Sequence, residues 1–267
     1  MPIHLKAPWE LSIMRANGRR LAEVAAAMRE AVCPGSSTAA LNEVARREIE
    51  RKGARPSFLN YAPEGMPPYP GCICASVNDA VVHGIPNERV LVAGDVLSLD
   101  VGLFYGGYHA DMAFTVVVGG EPTPEQALLL DVTEKSLYMG IAQAVSGNRV
   151  GDIGFAIESS IPSQQLGLVR QFVGHGIGRA LHERPSVPNH GKKNTGDRIR
   201  PGMCLAVEPM VTLGNWKTRI LEDGWTAVTL DGSCAAHFEH TIAVTPSGTE
   251  VLTTLADSPS VLSDIIR

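Results

Sequence analysis

A chain of 267 residues with 44% hydrophobic and 19% charged side chains has the composition of a folded globular protein, long enough to bury a full-sized core. Lys and Arg total 23 against 28 Asp and Glu, a net charge of −5, so there is no cation excess of the kind that drives nucleic-acid binding. The five cysteines, at positions 33, 72, 74, 204 and 234, include no C-x-x-C pair and read as reduced cytosolic thiols. No apolar stretch approaches the roughly 18 residues of a membrane span, and charges at Lys6, Glu10, Arg15, Arg19 and Arg20 occupy the place of a signal-peptide core. A cytoplasmic protein without membrane or nucleic-acid partners is expected.

In chain order, Leu11, Met14, Leu21, Val24, Met28 and Val32 form the apolar stripe of a first helix, stopped by Cys33-Pro34-Gly35. Ser36, Ser37 and Thr38 can cap a second helix reaching about Arg51. Strand-like runs follow at Cys72–Val77, Val81–Ile85, Val96–Phe104 and Tyr108–Val118, the last two joined by Gly106-Gly107 in a hairpin. Ahead of them Ala62–Pro70, with four prolines, is a loop. The order then repeats. Thr123-Pro124-Glu125-Gln126 opens a helix to about Val145, and Asp152 is expected to cap a shorter one. Strands are expected at Leu168–Val173, Met203–Val211 and Thr226–Leu230, with Asp231-Gly232 turning into Ala235–Val244. Helix, helix, hairpin written twice predicts an α+β fold: duplicated halves, about 9–120 and 121–250, around a pseudo-twofold axis, an antiparallel sheet covered by helices, and one domain over 1–267.

Four acids do not look like surface. If Tyr105 pairs with Tyr108, Asp100 faces Ala113 and Asp111 is its diagonal neighbour on the same side of the hairpin. Leu97, Leu99, Ala110 and Met112 flank them, and a carboxylate in such a run is costly unless paired or bound to a cation. Glu208 ends the run Cys204–Val207, and Glu239 sits in His237-Phe238-Glu239-His240. His175, between Gly174 and Gly176, adds an imidazole whose neighbours allow close approach to a ligand. Four carboxylates and one nitrogen suit a pair of divalent first-row ions and are unlike a thiolate zinc site. Two dications balance the four carboxylates, whereas one would leave the pocket anionic. The spacing Gly174-x-Gly176-x-Gly178 lacks the third glycine of a dinucleotide loop, and His182-Glu183 lacks the second histidine of H-E-x-x-H.

Val81–Pro86, Ser98–Gly102, His109–Asp111, Gly174–Gly178, Val207–Pro209 and Phe238–Thr241, in order from about Leu11 to Thr245, resemble the bacterial type I methionine aminopeptidases. The resemblance implies the pita-bread fold and removal of the initiator methionine from nascent chains whose second residue is small. It implies that Asp100 chelates one metal, that Asp111 and Glu239 bridge two, and that His175 and Glu208 complete the other shell. The ions would be Co²⁺, Mn²⁺, Fe²⁺ or Zn²⁺, sharing a hydroxide that attacks the first peptide carbonyl. Glu208 would also be the general base, and His83 and His182 would bind substrate and the tetrahedral intermediate. Cys74, Tyr61, Tyr69, Phe58 and Trp225 match positions that enclose the methionine side chain. Leu181 and His237 depart from the family, which often carries an aromatic and a glutamine there. His237, two residues from Glu239 and so on the same strand face, is expected to support the metal site.

Nascent polypeptide N-termini, with contact to the ribosome, are the implied partners, and a monomer is expected. Two alternatives share the fold: an Xaa-Pro aminopeptidase or prolidase, which carries an extra N-terminal domain, and a non-catalytic pita-bread binding protein, which is expected to have lost ligands.

Overall fold

The computed structural model describes residues 2–255, so the ends of the expected 1–267 domain lie outside the described residues. Helix α1 (Pro8–Ala31) begins three residues before the apolar stripe, because Pro8 fits the first turn and the Glu10 carboxylate accepts the Ala7 N–H at 2.7 Å. Ser37 caps α2 (Thr38–Arg51), its Oγ accepting from the Ala40 N–H at 3.1 Å. Helix α3 (Pro124–Ile141) opens on the expected box, with Thr123 and Gln126 exchanging bonds of 2.9 and 3.3 Å. It ends short of Val145, where Gln143 and Ala144 turn back on Gly140 and Ile141. In α4 (Val150–Ser160) Asp152 is the third helical residue rather than the cap. Its two oxygens accept the N–H groups of Arg149 and Asn194, each at 2.8 Å.

The strands are β1 (Arg55–Pro56), β2 (Ile73–Val77), β3 (Ala80–Val82), β4 (Val96–Tyr105), β5 (Tyr108–Val117), β6 (Gly167–Leu168), β7 (Gly174–Gly176) and β8 (Glu183–Val187), followed by β9 (Cys204–Val207), β10 (Met210–Thr212), β11 (Thr218–Ile220), β12 (Ala227–Thr229), β13 (Ala235–His237), β14 (Glu239–Thr245) and β15 (Gly248–Val251). An antiparallel sheet runs β1-β4-β5-β14-β9-β7-β8, with β2 on β4 and β15 on β14. The β4–β5 hairpin pairs Tyr105 with Tyr108 and Asp100 with Ala113, as its glycine turn predicts.

Two expected strands are broken. The run through Val211 splits at Glu208-Pro209, since proline has no N–H for a ladder, and the run from Ala235 splits at Phe238. Asp231-Gly232 makes no hairpin either: β12 pairs with β3 and β11, whereas β13 pairs with β10. The Asp231 carboxylate instead accepts from the Asn215 and Ser233 N–H groups, which turns the chain from one small sheet into the other. The second-half counterpart of β4–β5 is therefore β9–β14, and β14 also joins β5, pairing Glu239 with Ala113.

Alternation along these strands separates two faces. Leu97, Leu99, Val101 and Leu103 of β4, Ala110, Met112 and Phe114 of β5, Leu205 and Val207 of β9, and Ile242 and Val244 of β14 share a core with residues of all four helices. Each fully buried leucine there stabilises the fold by about 1.5–3 kcal/mol. The residues between them face the other way, and they include Asp100, Asp111 and Glu239.

Candidate active site

On that second face the four acids and His175 line one cavity of about 450 Å³. Ligand atoms of Asp111, His175 and Glu239 all lie within 4.8 Å of one another. Glu208 joins them from the break after β9, its Oε1 3.7 Å from His175 Nε2. The backbone of Glu208 is held by Asn189, whose Nδ2 donates to its carbonyl at 2.9 Å. Asp111 is fixed by Thr241, whose Oγ accepts from its N–H at 2.9 Å and donates to its carbonyl at 2.7 Å. Thr241 ends the Phe238–Thr241 motif and Asn189 lies in none, but each acts on the backbone of a residue distant in the chain, a role that residue type alone does not mark.

Burial and mutual repulsion leave these acids unbalanced. Asp100 is pushed up to about 7, chiefly by burial. Asp111, Glu208 and Glu239 rise well above the carboxylate range through burial first and their neighbouring acids second. Asp100 Oδ1, Asp111 Oδ1 and Glu239 Oε1 are buried without a hydrogen-bond partner. Burial holds His175 down to about 3, so its imidazole is neutral and able to ligate. Unpartnered carboxylate oxygens converging on a neutral imidazole are the donor set that a divalent cation completes.

The glycines around His175 serve packing rather than ligand approach. A Cβ on Gly174 would lie 2.3 Å from the Ala206 carbonyl oxygen, and one on Gly176 would lie 2.2 Å from that of Arg184. They let β7 fit between β8 and β9.

Every expected substrate contact, namely Phe58, Tyr61, Tyr69, Cys74, His83, His182 and Trp225, lines the same cavity. Cys74 pairs with Asp100 across β2 and β4. Burial and the neighbouring Asp100 raise its thiol well above the ordinary value, so it stays protonated. Tyr69 donates its hydroxyl to the carbonyls of Ile73 and Gly84, which turns its ring edge-on to Trp225. The loop at 62–70 folds back on itself, with the Tyr69 N–H bonded to the Tyr61 carbonyl at 2.9 Å, and Trp225 Nε1 donates to Pro67. His83 takes a left-handed φ of 59° and stands edge-on to Phe172 and Trp225. Burial lowers both His83 and His182 to about 4, with His182 also repelling the His83 cation. Phe172, Met66 and Ile220 also line the cavity, although no pattern in the sequence marked them.

His237 is absent from the cavity wall and buried behind it. Its Nε2 lacks a partner and lies 3.7 Å from Glu208 Oε2 and 4.0 Å from Glu239 Oε2. It reaches Glu239 across the break at Phe238, not along one strand face as expected.

Three acids on the inner face of an antiparallel sheet, a fourth at the break beside it and helices behind are the layout of the pita-bread metallopeptidases. A model of metallopeptidase family M24 matches residues 12–246, and the chain belongs to that family. It is 46% identical over 248 residues to methionine aminopeptidase 1 of Bacillus subtilis, covering 93% of this chain and 98% of that protein. The crystal structure of methionine aminopeptidase from Rickettsia prowazekii superposes with a TM-score of 0.90 at 37% identity, covering 94% of this chain and 100% of that one. The prolidase from Pyrococcus horikoshii OT3 reaches 0.74 at 19% identity and is covered over only 63% of its length, a likeness of fold alone.

Proposed function

We propose that this protein removes the N-terminal methionine from polypeptides, nascent chains above all, whose second residue is small. The observation that carries the reading is the set of unpartnered buried oxygens on Asp100, Asp111 and Glu239 beside neutral His175, at the end of a cavity walled by aromatic rings and a thiol. Asp100, Asp111, His175, Glu208 and Glu239 would hold two divalent ions, Co²⁺, Mn²⁺, Fe²⁺ or Zn²⁺. When bound they supply Lewis acidity toward the first peptide carbonyl and toward water.

The chain's own groups do the rest. Glu208 holds and passes on a proton as the general base. His83 and His182 stay neutral at pH 7, so each ring has one N–H donor and one acceptor nitrogen with which to meet the substrate backbone or charge developing on the carbonyl oxygen. Tyr61 OH engages His182 Nδ1 at 2.6 Å, which leaves Nε2 for the substrate. Cys74, Phe58, Tyr61, Tyr69 and Trp225 enclose the thioether side chain through soft and apolar contacts. His237 supports Glu208 and Glu239 from behind. The protein acts as a single-domain monomer in the cytoplasm, at the ribosome; among the described residues no helix is long and apolar enough to cross a membrane.

Release of methionine from Met-Ala-Ser, abolished by chelator and restored by one of the four ions, is the expected result. Failure to release methionine with any of them sinks the reading, and release of Xaa from Xaa-Pro peptides in its place identifies a proline-specific enzyme.

A further inference from the structure

The turn that carries His182 is tied down from outside the cavity by the N-terminal segment. Lys6 is 4% exposed, and its Nζ donates to Glu183 Oε2 at 2.7 Å. Its backbone N–H donates to the Gly202 carbonyl at 2.7 Å, which fixes the lysine's own position. The second Glu183 oxygen, Oε1, accepts from the N–H groups of Arg179 and Ala180 at 2.7 and 3.2 Å. One carboxylate thus closes the turn from within and anchors it to a buried ammonium. Glu10 adds another tie: it accepts from the Arg179 guanidinium at 3.2 Å and from the Tyr108 hydroxyl at 2.5 Å. The fit is tight, since a Cβ on Gly178 would lie 2.6 Å from Lys6 Cε. On the cavity side His182, the residue before Glu183, rests its ring 4.2 Å from that of His175.

We propose that Lys6 is a positioning residue for His182, acting through Glu183. A buried ion pair is a poor source of stability, because desolvation offsets most of its attraction, and an apolar side chain of similar length would fill the same space without that cost. What the pair supplies is direction. An ammonium that binds one carboxylate oxygen while two backbone N–H groups bind the other fixes where the turn, and the imidazole it carries, stands relative to His175. The inference rests on the reading of His182 as a substrate contact.

The test is a double-mutant cycle on the metal-loaded enzyme, with methionine release as the activity. Lys6→Met keeps the stem and removes the charge, and Glu183 retains its backbone donors and, at 15% side-chain exposure, some solvent. The expected result is a loss of about tenfold in kcat/KM with an unchanged metal content, and a Lys6→Met/His182→Ala double variant no slower than His182→Ala alone. In the metal-free protein the His182 imidazole proton resonances should shift or broaden in Lys6→Met, a readout that ordinary loss of packing at Lys6 leaves in place. Glu183→Gln, which keeps an oxygen for the backbone donors, carries the same cycle if Lys6→Met does not fold. Wild-type kcat/KM in the single variant, or losses that multiply in the double variant, overturns the proposal. Full turnover by His182→Ala instead removes the substrate role of His182, a distinct failure visible without any Lys6 variant.

Discussion

His83 shows what a single residue contributes beyond its chemistry. A histidine at a φ of 59° occupies a region that side chains seldom adopt, and here that backbone aims the ring between Phe172 and Trp225. His237 makes the same point from the rear of the site. Its unpartnered Nε2 faces one oxygen of Glu208 and one of Glu239, where it can fix which oxygens remain directed at the cavity. His237→Gln is expected to weaken divalent-ion affinity by about tenfold, the lower end of the range for such supporting partners. Titration of the metal-free protein with a competing chelator measures it, and unchanged affinity and turnover would remove His237 from the site.

At the level of elements, the decisive features are interruptions. Pro209 ends β9 one residue after Glu208, freeing that carboxylate from the pleat, and the break at Phe238 puts His237 and Glu239 in different sheets while their side chains still meet. Strand β7 depends on its glycines for a simpler reason, the nearness of neighbouring carbonyls. Gly176→Ala forces a Cβ against the Arg184 carbonyl oxygen, a backbone atom that cannot swing away. The expected cost is about 1–3 kcal/mol of stability, with kcat/KM falling as His175 is displaced. Gly120→Ala, where a Cβ meets nothing within 4 Å, is the control and should leave the melting temperature unchanged.

For the whole molecule the clustered charge sets how stability depends on pH. Asp100 titrates near 7, and Asp111, Glu208 and Glu239 lie well above their ordinary values. Acids whose folded pKa is raised contribute most below the unfolded value of about 4, and that contribution is lost as pH climbs through the folded value. Metal-free protein should therefore lose stability between pH 6 and 8. Bound ions remove the repulsion, so the melting-temperature gap between metal-loaded and metal-free protein should widen over that interval. Scanning fluorimetry at pH 6, 7 and 8, with chelator and after readdition, measures it, and a gap independent of pH would contradict a clustered acidic site.

Elements with local causes are legible in the sequence: the Thr123 to Gln126 capping box, the Gly106-Gly107 hairpin with its register, and the placement of Asp100 and Asp111 on one face. These follow from side-chain hydrogen bonds, turn geometry and a period of two, all readable over a few residues. The sequence also marked Glu208, Glu239 and His175, because a lone acid in an apolar run or a histidine among glycines is conspicuous. Long-range contacts settle that β9 pairs with β14, that Asp231-Gly232 makes no hairpin, and that Asn189, Thr241 and Phe172 act at the site. Those outcomes depend on which distant strand offers unpaired backbone groups and on which side chains happen to meet across the sheet, and such choices leave no local signature. Lys6 and Glu183, 177 positions apart in the chain, meet for the same reason.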